Sequence, residues 1–180
     1  MPRQKPNIIY ILADDMGYGD MGCNNSGCKI PTPHLDRLAA QGMRFTDAHA
    51  SSSVCSPSRY ALLTGRYCWR TPLKSSVLWP WDPPLIEADR PTVAKLLSQQ
   101  GYRTACIGKW HLGWEWATKD GKPAYGDESI GRLNREQRQA LERNIDYSQP
   151  IGGGPLACGF DSYFGVDVPN FPPYTWFEQD

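Results

Sequence analysis

Residues 7–12 read Asn-Ile-Ile-Tyr-Ile-Leu, a β-prone run without the alternation that a half-solvated strand shows. Such a run suits a central strand of a parallel sheet, covered on both faces, and parallel strands need long crossover connections between them. The chain offers candidates for those crossovers. Thr32-Pro33 opens a helical pattern that closes at Gly42, with a capping residue, a proline in the first turn and apolar residues at packing-helix spacing. Residues 91–101 repeat this pattern with a glycine stop at Gly101, and the β-prone residues 102–107 follow at once. Residues 43–48 and 159–165 read as further short strands. Helix and strand patterns in alternation predict an α/β fold with a mostly parallel central sheet flanked by helices. A length of 180 residues is enough for one domain of the usual roughly 100–200.

Several function classes are excluded at this level. Lys+Arg number 19 and Asp+Glu number 19, so no net positive field draws the chain to nucleic acid or to an anionic membrane surface. Any recognition of anions must be local. The longest apolar run, residues 8–13, falls far short of the ~20 residues that span a bilayer, and no apolar leader core follows Met1. Cytoplasmic and secreted locations both stay open. The spacing of Cys23 and Cys28 is not a paired zinc pattern, and the two either form a disulfide or remain thiols. Residues 70–90, rich in proline and tryptophan, form a long loop expected to line a site or to move. Within the polar stretch 115–148, residues 134–143 read as a solvated helix. Gly152-Gly153-Gly154-Pro155 reads as a hinge or loop, since it lacks the lysine and following helix of a phosphate cradle.

Three stretches carry chemistry. Asp14 and Asp15 stand just beyond the carboxyl end of the first expected strand, where open α/β sheets bind ligands, and Gly17 and Gly19 make a bend there cheap. They form either an acidic turn or a site for Ca²⁺ or Mg²⁺, which prefer carboxylate oxygen. Cys55-Ser56-Pro57-Ser58-Arg59 reads as a helix start, with Pro57 in the first turn and Gly65 as the left-handed stop. Cys55 and Arg59, four apart, share a helix face at the end whose dipole favours negative charge, a placement suited to an oxyanion. Gly108-Lys109-Trp110-His111-Leu112-Gly113 ends the expected strand before it. If the chain stays extended, Lys109 and His111 project the same way. His34 and His49 read as surface residues.

In this order, Cys55-x-Pro57-Ser58-Arg59 with Leu63-Thr64-Gly65 resembles the sulfatase signature, in which the cysteine is oxidised after translation to Cα-formylglycine. The strand ending in Asp14-Asp15, the Lys109–His111 block and Gly159-Phe160-Asp161 are similar to further sulfatase motifs, so the resemblance runs from Asn7 across nearly the whole chain. It implies a type I sulfatase of the alkaline phosphatase-like α/β class. Residue 55 as formylglycine hydrate would be the nucleophile, with Asp14, Asp15 and residue 55 holding Ca²⁺ or Mg²⁺. Arg59 would hold the formylglycine, Lys109 would contact the sulfate, His111 would bond the second hydroxyl of the hydrate, and Asn170 would line the substrate pocket. The implied partners are a sulfate ester, aryl or carbohydrate, and a formylglycine-generating or sulfatase-maturating enzyme, and the implied location is periplasmic or secreted. Family members are longer: their second Asp-Asn or Asp-His pair, a further histidine and a further lysine would lie past Asp180. Residues 1–180 are therefore expected to be the N-terminal part of a single catalytic domain, with an incomplete sheet and little activity alone. The alternatives are a phosphonate or phosphate-ester hydrolase on the same scaffold, and a non-catalytic domain in which Cys55 stays a thiol.

Overall fold

The computed structural model describes residues 5–124 and 133–179. The chain divides into two compact units, Met1–His49 and Ala50–Asp180.

The first unit is built on helix α1, Pro33–Gln41, which starts at the expected proline and stops before Gly42. The loop before it is pinned to its first turn: the backbone N–H of Cys23 donates to Asp36 Oδ1 at 2.7 Å, and that of Gly22 to Thr32 Oγ1 at 2.8 Å. Residues 7–12 and 43–48 are not strands. A strand exists only where its N–H and C=O groups meet a partner, and no described residue pairs with either segment. Ile9 and Ile11 are consequently 85% and 80% exposed instead of buried. The packing face of α1 is open for the same reason, with Leu38 exposed. Cys23 and Cys28 are free thiols, as are the other four cysteines.

In the second unit, helix α2, Cys55–Thr64, ends at Gly65, whose φ of 66° lets its N–H reach Ala61 O at 2.8 Å. Helix α3, Val93–Gln99, is capped by the Thr92 side chain. Strand β1, Ala105–Lys109, begins later than its apolar run implies. Strand β2, Trp114–Glu115, follows, then helix α4, Arg135–Asn144, whose Asn134 and Gln137 form a reciprocal capping box. The glycine run forms a short strand, β3 at Gly152–Gly153, and one helical turn, α5 at Gly154–Ala157, where the sequence predicts a hinge or loop. Strands β4, Ser162–Val166, and β5, Phe177–Gln179, complete the set. The main sheet has the order β1-β4-β5, with β1 parallel to β4 and β5 antiparallel, and β2 pairs with β3 separately.

β1 and β4 approach very closely. A Cβ on Gly165 would meet Gly108 O at 1.9 Å, and the Tyr163 hydroxyl donates to both Gly108 O and Val166 O at 3.0 Å. The tryptophan-rich loop turns inward and becomes core: Leu73, Leu78, Trp81, Leu85 and Ile86 are buried with Tyr60, Trp110, Trp114 and Tyr163. Trp81 meets Trp116 edge-on at 5.0 Å, and Trp114 lies 5.0 Å from Phe177. Most of the indoles are therefore packing groups. Backbone bonds from Leu85 N to Leu112 O and from Trp114 N to Asp82 O tie this loop to the segment after β1.

Candidate active site

The first turn of α2 is set by its own hydroxyls. Val54 is extended and caps the helix, and Ser58 Oγ donates back to Ser52 O and Val54 O, both at 2.8 Å. Ser56 is fully buried, and its Oγ accepts the N–H of Leu78 at 3.1 Å, which fixes the helix start against the inward-turned loop. Cys55 is left half-buried at the N-terminus, with Arg59 one turn on.

Lys109 is the last residue of β1, at the carboxyl end of the parallel pair, where such sheets bind ligands. Its Nζ donates to Cys55 Sγ at 3.0 Å, while Arg59 Nη1 donates to Lys109 O at 2.5 Å. The ammonium thus lies on the sulfur at a helix N-terminus whose open N–H groups also favour anions, and the guanidinium holds the backbone of the residue that carries that ammonium. Burial pushes the Cys106 and Cys158 thiols each up to about 11 and also raises that of Cys68, which favours their protonated forms.

His111 does not continue the strand. Its φ is 55°, so Lys109 and His111 do not project in parallel as an extended chain requires. The turn buries the residue to 3% exposure, and its Nε2 faces the carbonyl of Leu78 at 2.9 Å. A carbonyl can only accept, so Nε2 carries a proton, and whenever the ring is neutral its lone pair is on Nδ1. Leu78 therefore binds Ser56 through its N–H and His111 through its C=O, joining the cysteine turn to the histidine turn.

Of the residues expected to act together, Cys55, Arg59 and Lys109 meet directly, and His111 is linked to them through Leu78. Asn170 is exposed on the loop after β4, next to Phe171, whose ring lies 5.1 Å from that of Trp79. Asp14 and Asp15 belong to the first unit, where both are exposed and Asp15 has a φ of 58°. Their oxygens suit a hard cation, but two carboxylates do not make a shell. Among the described residues no group of three or more His, Cys, Asp or Glu side chains could hold a metal ion. His34 bonds Arg37 and His49 bonds Asp47, both at the surface.

From the sequence Asp167 cannot replace the second metal-ligand pair and receives no role, yet it is only 6% exposed. Burial pushes its carboxyl up to about 6, with the Asp82 charge adding to it, against the opposing pull of the Trp114 side chain, the His111 backbone N–H and the Lys109 charge. The signal was positional. Asp167 is the first residue past β4, and Lys109 pairs with Val166 in the parallel register.

The sulfatase family model matches residues 6–165. The chain belongs to the sulfatase family. It is 50% identical over 111 residues to an N-acetylgalactosamine-6-O-sulfatase of Bacteroides thetaiotaomicron, a match covering 61% of this chain and 21% of that protein. To human arylsulfatase A it is 49% identical over 108 residues, covering 60% of this chain and 21% of the other. A solved Bacteroides thetaiotaomicron structure, described with the metabolism of multiple glycosaminoglycans, matches with a TM-score of 0.74 and 36% identity, over 98% of this chain and 31% of that one. The chain thus spans about a fifth of the length of these curated relatives. The fold is of the α/β class of these structures, with a small mixed sheet. No helix among the described residues is long and apolar enough to cross a membrane.

Proposed function

We propose that the protein hydrolyses sulfate esters through a formylglycine made from Cys55. The observation that carries this reading is the meeting of Cys55, Lys109 and Arg59 at the start of α2. A sulfate monoester carries negative charge on oxygens that two fixed cations and a helix N-terminus can hold, and charge develops there as the ester bond breaks. Cys55 Sγ stands where the oxygens of an aldehyde hydrate would leave the same Cβ, within reach of Lys109. Oxidation of the thiol is the task of a separate formylglycine-generating enzyme.

In the first step one hydrate hydroxyl gives up its proton and attacks sulfur, the S–O bond to the alcohol breaks, the departing alkoxide takes up a proton and leaves as the alcohol, and residue 55 carries the sulfate. In the second, a base removes the proton of the remaining hydroxyl, its electrons form the C=O bond, and the C–O bond to sulfate breaks. Water then restores the hydrate. His111 is assigned as that base through Nδ1, the nitrogen left with a lone pair by the bond from Nε2 to Leu78 O. Lys109 and Arg59 hold the sulfuryl oxygens and residue 55 in place. Asp14 and Asp15 are assigned to Ca²⁺ or Mg²⁺, whose charge would polarise the sulfuryl oxygens when bound. The substrate class is a sulfated carbohydrate or aryl sulfate, in keeping with the named relatives, and Asn170 on the loop beside Trp79 is assigned to its pocket. The full catalytic domain is proposed to extend beyond these residues, in line with the length of the relatives.

Mass spectrometry of the tryptic peptide containing Cys55 tests the reading, on protein co-produced with a formylglycine-generating enzyme. Conversion to the aldehyde together with turnover of an aryl sulfate is expected. An intact, alkylatable thiol would mark a non-catalytic domain, and turnover of aryl phosphonate in preference to aryl sulfate would mark a phosphonate hydrolase.

A further inference from the structure

The scheme above leaves unused a buried carboxylate directly behind its two working groups. Asp167 follows β4 as Trp110 follows β1, and the parallel register brings the two strand ends side by side: Trp110 N donates to Val166 O at 2.9 Å. One residue further on, the N–H of His111 donates to Asp167 Oδ1 at 3.2 Å. This is where the chain leaves the strand and His111 enters the left-handed region, which a residue with a side chain occupies only under constraint. The histidine is thus held at two points, its backbone by Asp167 and its ring by Leu78 O. Two charges face the Asp167 carboxylate: Lys109 stabilises it, and Asp82, also buried, opposes it. A carboxylate in so dry a place is costly, and packing alone would be served as well by a neutral side chain.

We propose that Asp167 is a positioning residue, whose carboxylate holds His111 in the turn that presents Nδ1 and balances the charge of Lys109 at the end of β1. The proposal rests on the reading of Lys109 and His111 as groups of a sulfate-ester hydrolase. It goes beyond that reading in giving the site a second layer supplied by β4.

The test uses the whole protein with residue 55 converted, and the variants Asp167→Asn and Asp167→Ala. Asn keeps an acceptor for the His111 N–H but removes the charge, so kcat on an aryl sulfate falls about tenfold while KM changes less than about twofold. Ala removes both, so kcat falls about a hundredfold, the order seen when a reacting group is displaced by an ångström, and sulfated residue 55 accumulates. Wild-type kcat in both variants, or a loss confined to KM, overturns the proposal. A second readout does not need turnover. With three histidines in the chain, the ring nitrogens of His111 can be assigned by ¹⁵N NMR. The wild type is expected to show the Nε2–H tautomer, and Asp167→Ala an averaged pair of nitrogen shifts as the ring leaves Leu78 O. An unchanged tautomer in that variant also overturns the proposal. Failure of the hydrolase reading looks different: a converted wild type that turns over no sulfate ester, in which case the NMR result alone decides whether Asp167 positions His111.

Discussion

Residues 7–12 and β1 are written in similar language, yet only one of them is a strand. Both are β-prone runs that end in charged residues, Asp14-Asp15 in one case and Lys109 in the other. β1 finds β4, and its end becomes a built site, with Lys109 Nζ on Cys55 Sγ and Asp167 behind the next turn. Residues 7–12 find no ladder among the described residues, their isoleucines stay in solvent, and the two carboxylates beyond them are exposed. A strand is thus a property of a pair, and side-chain preference only nominates one member.

The comparison can be broken most directly at its active end. Lys109→Ala, in converted protein, removes a cation from the developing sulfate charge and is expected to lower kcat on an aryl sulfate by about 10²–10³-fold, the cost of losing one preorganised oxyanion donor. Equal kcat in variant and wild type would reduce the strand end to the standing of Asp14-Asp15 as seen here. The pairing itself is tested by Gly165→Ala. The added methyl would sit 1.9 Å from Gly108 O, so β1 and β4 must separate, and a loss of about 3 kcal/mol in urea unfolding is expected. An unshifted midpoint would mean that the ladder is not what holds Lys109.

Asp167 gives a smaller, pH-dependent effect. Its carboxyl is raised from 3.8 to about 6, so the folded chain binds that proton more tightly than the unfolded chain does. The wild type is therefore relatively most stable below roughly pH 4 and loses on the order of 3 kcal/mol as pH rises through about 6. Asp167→Asn should lack that slope, and melting temperatures at roughly pH 4 and pH 7 measure it. Parallel pH dependence in the two proteins would place the carboxylate in water. At the unpaired run, Ile11→Thr removes no packing and should change the stability of the 180-residue chain by less than about 0.5 kcal/mol. A larger loss would show that residues 7–12 are covered after all.

The parts legible in the sequence are those fixed locally. Pro57 with Gly65, Thr92 with Gly101, and Asn134 with its helix mark ends that a few neighbouring residues decide, and the structure has all three helices there. Cys55, Arg59 and Lys109 could be nominated from a helix start and a strand end, and they do meet. His111 was nominated with the wrong geometry, since its left-handed turn depends on Asp167, which lies far along the chain. Asp167 had no assignable role because a single acidic residue after a strand means little until the parallel partner is known. The loop at residues 70–90 offered a choice between lining and motion. Its buried leucines and Trp81 make it core, and its composition does not reveal which way a proline-rich segment folds.

The double role of Leu78 has a consequence for divergence. It grips Ser56 and His111 through its N–H and C=O, groups that every residue except proline possesses. Its neighbour Trp79, half-buried against Phe171 and beneath the Arg138 guanidinium at 4.9 Å, touches the outer side of the same loop. The clamp is thus indifferent to the letters written around it. Mutation can rewrite the loop's outward face while the backbone beneath keeps Ser56 and His111 in their places.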